Sequence, residues 1–166
     1  MEIFKYAPGK NPNSHKKGRR KYNVNDSFFS EPNVLNSYYA GFIAADGCIR
    51  SRQGEESKYL TFGLSIKDKG WLERFAQDIE FDGPIKEYTF RDRQYVRMCI
   101  NSKQISDDLE KNFNITPRKT ATLIPPPLSD NKLIDAFICG YIDGDGAIYF
   151  SETTKRNIQK KCAISI

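Results

Sequence analysis

The feature that most constrains this chain is a segment written twice. Asn33 to Gly47 reads NVLNSYYAGFIAADG, and Leu133 to Gly146 reads LIDAFICGYIDGDG. One offset superimposes Gly41 on Gly140, Ile43 on Ile142, Asp46 on Asp145 and Gly47 on Gly146. Each copy is an apolar helical run ending in Asp-Gly, where a left-handed glycine is expected to stop the helix. A repeat at this separation predicts two similar subdomains.

Small residues fill one side of each run: Ala40, Gly41 and Ala44 in the first, Cys139, Gly140 and Gly144 in the second. Glycine inside a helix costs about 1 kcal/mol against alanine. Close approach of the two helices along these faces is the natural compensation. Packed so, Asp46 and Asp145 end side by side, each at the negative end of a helix macrodipole. Divalent cations would offset the repulsion, and paired carboxylates holding metal are the arrangement that hydrolyses phosphodiesters. The alternative is that both Asp-Gly pairs are only helix-ending turns, as Asp82-Gly83 is expected to be.

The two segments, Tyr39-Ala-Gly-Phe-Ile-Ala-Ala-Asp46-Gly47 and Ile138-Cys-Gly-Tyr-Ile-Asp-Gly-Asp145-Gly146, resemble the paired motif of the LAGLIDADG homing endonucleases. The resemblance implies an α+β fold: an αββαββα subdomain with a curved antiparallel sheet, followed by the first αββ part of a second, pseudo-symmetric repeat. It implies a site-specific, Mg2+- or Mn2+-dependent endonuclease of the two-motif monomeric type, acting on double-stranded DNA in the spread of an intron or free-standing mobile gene. Asp46 and Asp145 would hold the metal, helped by the carbonyls of Ala45 and Gly144. The Thr116-Pro-Arg-Lys-Thr120 stretch is similar to one in monomeric members, which implies Lys119, and likewise Lys67, as the basic residues flanking the active centre. Ala44 stands where the motif carries an acid; Asp143 restores it in the second copy, with an expected structural role. Two other functions on this scaffold are a non-cleaving DNA-binding regulator and a maturase acting on intron RNA.

Between the motifs the periodicity alternates between strand and helix. Strands are predicted over Cys48–Gln53 and Lys58–Lys67, a helix over Lys69–Phe81, strands over Ile85–Arg91 and Tyr95–Asn101, and a helix over Lys103–Phe113. The polar face of the strands offers Arg50, Arg52, Lys58, Tyr59, Thr61, Lys67, Tyr95, Arg97 and Asn101 for contacts to DNA. Arginine, lysine and asparagine can read base edges in a major groove that admits a two-stranded ribbon. A net charge of +5 agrees with an anionic partner.

The expected division is a basic arm at 1–27, a first subdomain at 28–124, a proline-rich connector at 125–132 and an incomplete second subdomain at 133–166. The second repeat reads as two strands, Ala147–Glu152 and Lys160–Ile166, and stops where the counterpart of Lys67 would fall. This predicts a shortened chain or one piece of a split protein: a monomer when complete, or a half that needs a complementing second chain. No apolar run approaches the roughly 20 residues of a membrane span, and the polar start resembles no signal peptide. The single histidine, His15, argues against histidine-dependent nucleases and Ser-His-Asp hydrolases. The spacing of Glu152 and Lys155 misses the Glu-x-Lys of another nuclease class. Cys48, Cys99, Cys139 and Cys162 form no C-x-x-C pair and read as small core residues in a reducing compartment.

Overall fold

The computed structural model describes residues 20–51, 57–119, 122–153 and 159–165, with side chains as far as Gly146. The predicted arm through residue 19, Arg52, most of the turn at 54–57, the turn at 154–158 and the surroundings of Cys162 lie outside the described residues. The elements run in the expected order: α1 (Val34–Asp46), β1 (Gly47–Ser51), β2 (Lys58–Ser65), α2 (Lys69–Asp78), β3 (Lys86–Phe90), β4 (Arg93–Ile100), α3 (Lys103–Phe113), α4 (Asn131–Asp145), β5 (Ala147–Thr153) and β6 (Gln159–Ser165). The fold is α+β. Four strands form an antiparallel sheet in the order β1-β2-β4-β3, and β5 and β6 form a separate antiparallel pair.

Period-two alternation sorts the sheet into two faces. Ile49, Leu60, Phe62, Leu64, Val96, Met98 and Ile100 are buried on the inner face. There they join Tyr39 and Ile43 of α1, Leu72 and Phe75 of α2, and Ile105, Leu109 and Phe113 of α3 in one core. Several boundaries differ from expectation: α2 ends at Asp78 rather than Phe81, β3 spans Lys86–Phe90, and β4 begins at Arg93. The second strand stops at Ser65, and Ile66–Asp68 forms a 3-10 turn that carries Lys67 out of the sheet. The third strand is exposed along its whole length, because it runs past the helices that cover its neighbours; this is why its sequence does not alternate. A two-residue turn, with Arg91 and Asp92 both at positive φ, joins it to β4.

Helix starts are fixed by side-chain caps. Asn33 and Asn36 make a reciprocal capping box on α1, the Ser102 hydroxyl accepts from the Ile105 N–H at 3.1 Å, and Asp130 accepts from Lys132 at 2.9 Å. Arg20 to Ser27, expected within a solvated arm, instead straps the end of α2. The Asn23 side chain bonds Asp82 at 2.6 Å and the Asn25 N–H donates to Ile79 at 2.8 Å.

The helix ends correct the expected stop mechanism. Gly47 and Gly146 are extended, with φ near −79° and −77°, rather than left-handed. Glycine is needed there for space. A Cβ on Gly47 would meet the Ile43 carbonyl oxygen at 2.8 Å, and one on Gly146 the Ile142 Cγ2 at 2.7 Å.

The two repeat helices pack on each other with matching contacts. A Cβ on Gly41 would collide with the Phe137 carbonyl and meet the Tyr141 nitrogen at 2.9 Å; one on Gly140 would collide with the Tyr38 carbonyl and meet the Phe42 nitrogen at 3.0 Å. Since Tyr38 corresponds to Phe137, and Phe42 to Tyr141, the two helices lie parallel, in register and related by a local two-fold axis. Gly144 faces Ala45, its own counterpart, across that axis. The contact turns on Gly41, Gly140 and Gly144, with Ala45 facing Gly144; the other three small residues expected there lie elsewhere. Ala40 and Ala44 are buried in the core of the first unit, and Cys139 is exposed on α4. Cys48 is half-buried and Cys99 exposed, so the described cysteines are not core residues.

A pair of substitutions separates packing from propensity. Gly140→Ala is expected to lower unfolding free energy by about 3 kcal/mol, because backbone rather than a movable side chain stands in the way. Gly70→Ala, in helix α2 with nothing within 4 Å of an added Cβ, is expected to raise it by roughly 0.5 kcal/mol. Urea denaturation of both variants measures the contrast.

Candidate functional site

The parallel, in-register packing brings the ends of α1 and α4 together, and with them Asp46 and Asp145. Both are exposed at the mouth of the site. The Asp46 carboxyl is held above its ordinary pKa by partial loss of water, then by the charge of Asp145, then by that of Asp68, while Lys119 pulls the other way. The residue stays open to solvent at the surface of the site, so partial dehydration and the like charges of Asp145 and Asp68 act on it together.

Asp68 was not singled out by sequence reasoning. It sits at the start of α2, where an aspartate reads as a routine N-cap, yet its side chain makes no capping bond. Its charge bears instead on Asp46.

Lys119 reaches the site through a turn whose residues are all placed for it. Helix α3 ends at Asn114 in the left-handed conformation, and Ile115 is buried as an anchor. The Asn114 amide ties the connector down by donating to the Pro125 carbonyl at 2.7 Å. Arg118 then takes positive φ and turns the chain back toward α1. The Lys119 ammonium donates to the Ala44 carbonyl and to the Ala45 carbonyl at 3.0 Å. Burial pushes its pKa down, opposed by the neighbouring Cys48, Asp145 and Asp46.

The donor set is two carboxylates and main-chain carbonyls, all hard oxygens of the kind magnesium or manganese takes. Among the described residues no group of three or more His, Cys, Asp or Glu is placed to hold a metal. Magnesium is commonly held by one or two carboxylates, with waters and substrate phosphate completing its shell.

The outer face of the sheet carries most of the predicted contact residues. Arg50 is opposite Tyr59, Thr61 opposite Cys99, and Tyr95 opposite both Ser65 and Tyr88. The Tyr88 and Tyr95 rings stack at 5.5 Å, and the Arg97 guanidinium lies 5.2 Å from the Tyr88 ring centre. Asn101 is exposed just past β4. The Thr61 hydroxyl is turned inward to the Met98 carbonyl, at 3.2 Å. Lys67 lines an open cleft of about 750 Å³ together with Ser65, Arg93 and Tyr95.

One expectation fails. Lys58 is on the inner face, in line with Leu60 and Phe62, where its ammonium bonds Asp107 at 2.8 Å and Glu110 at 2.7 Å on α3. Charge alone points Lys58 to the outer face, but adjacent residues 58 and 59 cannot share a face. Conversely, Lys86, Tyr88 and Phe90 lie on the outer face of β3 with Arg93 and Arg97 opposite. The absence of apolar alternation in β3 was the signal for them.

Three DNA-bound structures are similar to this chain. I-SmaMI bound to uncleaved DNA target in the presence of calcium ions is 14% identical, matches 81% of this chain and 67% of its own, and has a TM-score of 0.45. The I-LtrWI LAGLIDADG homing endonuclease bound to target DNA is 14% identical over 78% of this chain and 64% of its own, with a TM-score of 0.45. The LAGLIDADG meganuclease I-AabMI bound to uncleaved DNA is 12% identical over 80% and 65%, with a TM-score of 0.46. This chain thus spans about two thirds of their length. No family model matches the chain, and no curated protein matches it.

The raised pKa of Asp46 has a sign that can be measured. Its charged form is disfavoured in the folded state, so the metal-free protein carries a penalty above the folded pKa that is relieved as pH falls toward the unfolded carboxylate value. In chelator at neutral pH, Asp46→Asn is expected to melt higher than the unaltered chain. The gap should close as the pH drops into the carboxylate range. Melting curves of both proteins across that range test it.

Proposed function

We propose that this chain is a LAGLIDADG-type, site-specific endonuclease that hydrolyses phosphodiesters of double-stranded DNA, with divalent metal held by Asp46 and Asp145. The observation that carries the proposal is the two-fold pairing of α1 and α4, which sets two carboxylate-bearing helix ends side by side. Two equivalent scissile phosphates, one on each DNA strand, match a two-fold pair of carboxylates in a way a single-stranded substrate does not.

The chain's own residues divide the work. Asp46 and Asp145, with the carbonyls of Ala45 and Gly144, would hold the ion. When bound, a divalent ion polarises the phosphate and lowers the pKa of its water. Lys119, half-buried beside both carboxylates, supplies positive charge where the phosphorane develops it as negative. Lys67 is assigned a lesser share in the same field, from the open cleft.

The outer sheet face binds and reads the duplex. Lys86 lies directly opposite Arg97 on that face, and like charges so placed repel. An anionic backbone laid across them relieves that repulsion. Arg50, Arg97 and Asn101 are exposed for phosphate or base-edge contacts, with Tyr59, Thr61 and Tyr95 forming the floor between them. Lys58 is withdrawn from this set because Asp107 and Glu110 neutralise it.

The test is cleavage of a randomised duplex library by this chain with magnesium, beside Asp46→Asn and Asp145→Asn. Cleavage by the unaltered chain and its loss, by about a thousandfold or more, in each variant is expected. Equal cleavage by the variants would remove the paired aspartates from the chemistry, and sequence-specific binding without cleavage would point to a regulator.

Binding separates an outer-face cation from an inner-face one. Arg97→Ala should weaken duplex binding and reduce the slope of log affinity against log salt by about 1. Lys58→Met should leave both unchanged and instead cost about 1 kcal/mol of stability. Fluorescence anisotropy over a salt series distinguishes them.

A further inference from the structure

We infer that Lys119 is an internal stand-in for the divalent ion: it holds the open end of α1 when no ion is bound, and it competes with the ion for the Ala45 carbonyl. The inference rests on the metal centre proposed above and adds to it a cation already built into the chain.

The last carbonyls of a helix have no intrahelical partner. In α1 two of them, those of Ala44 and Ala45, accept from one ammonium, Lys119 Nζ. A cation at this end also meets the negative end of the helix dipole. The same ammonium is drawn by the charges of Asp46 and Asp145, which repel one another with Asp68 adding to the crowding. Lys119 is therefore fixed where the local field most favours positive charge. It is not a surface lysine that happens to lie near, since it is half-buried and is delivered by a turn containing a strained positive-φ residue, Arg118.

An ion held by Asp46 and Asp145 would find one of its main-chain donors already engaged. Two cations cannot share the Ala45 carbonyl without strong mutual repulsion. Binding of the ion therefore requires the ammonium to leave that oxygen. The same displacement frees Lys119 to turn to the phosphate, so one side chain serves the metal-free and the substrate-bound states in succession.

The competition has a readout independent of cleavage. Calcium, a hard ion that takes oxygen ligands, is titrated into the whole chain and followed by calorimetry and by melting temperature. Lys119→Met is expected to melt below the unaltered chain in chelator, yet to bind calcium about tenfold more tightly, a change of about 1.4 kcal/mol. Lys119→Gln, which keeps a hydrogen-bond donor and loses only the charge, should show the same gain in affinity and remains informative if the methionine variant folds poorly. Equal or weaker calcium binding in the lysine variants would overturn the inference. Calcium binding that persists in an Asp46→Asn, Asp145→Asn double variant would instead overturn the metal centre itself, so the two failures can be told apart.

Discussion

The architecture depends on how closely two helix backbones approach at Gly41 and Gly140. With any larger residue at either position the partner's main chain would have to move. Approach at this distance fixes the relative position of the helices along their axes more tightly than a side-chain interface does. A slip of one turn would bring Ser37 or Ala45 to the place of Gly41, and a Cβ there meets the partner's backbone. Because the contacts are equivalent under the repeat, fixing one glycine fixes the other, and the two helix ends coincide as a consequence. Helix α1 is buried between α4 on one side and the sheet, α2 and α3 on the others. This explains why its apolar residues run all round it rather than along a stripe.

The two-fold relation is broken at chosen points, and the breaks are polar. Tyr38 donates across the interface to Asp143 at 2.8 Å and accepts from the Trp71 indole at 3.3 Å. Its counterpart pair, Phe137 and Ala44, has no polar atom to offer. The hydrogen bond thus exists only when the unlike repeats face each other. A pairing of α1 with α1 would leave the Tyr38 hydroxyl without its carboxylate, a loss of about 1 kcal/mol or less because water reaches the pair. The missing motif acid at Ala44 and the extra one at Asp143 become intelligible on these terms. The acid has been kept on the one helix where a partner hydroxyl reaches it.

Much of this was legible in the sequence, and the parts that were not share a cause. The repeat, the order of elements and the inner-face residues followed from spacing alone, since periods of two and 3.6 are properties of the local chain. The errors came where one residue type serves two environments. Lysine 58 was placed outside by its charge, although two acids on α3 make the inner edge of the sheet habitable for it. Alanines at 40, 44 and 45 are equivalent as small residues, and only the rotation of α1 about its axis, set by the glycines, assigns the first two to the core and the third to the partner helix. Asp68 and Gly47 were hidden by having an ordinary local explanation, a cap and a left-handed stop, that the tertiary structure did not use.

The electrostatics of the site follow from the same packing constraint and oppose folding of the unliganded chain. Two helix C-termini carry partial negative charge, and Asp46 and Asp145 add to it at the point where the glycines leave no room for the ends to separate. Asp68 adds a third carboxylate within reach of Asp46. Among the described residues the cation that bears on Asp46 is the half-buried ammonium of Lys119, whose own charging is made harder by burial. One cation of charge one cannot balance three carboxylates and two dipoles. The site is therefore left deficient in positive charge by the geometry that builds it, and the deficiency is open to solvent on the side where Asp46 and Asp145 are exposed.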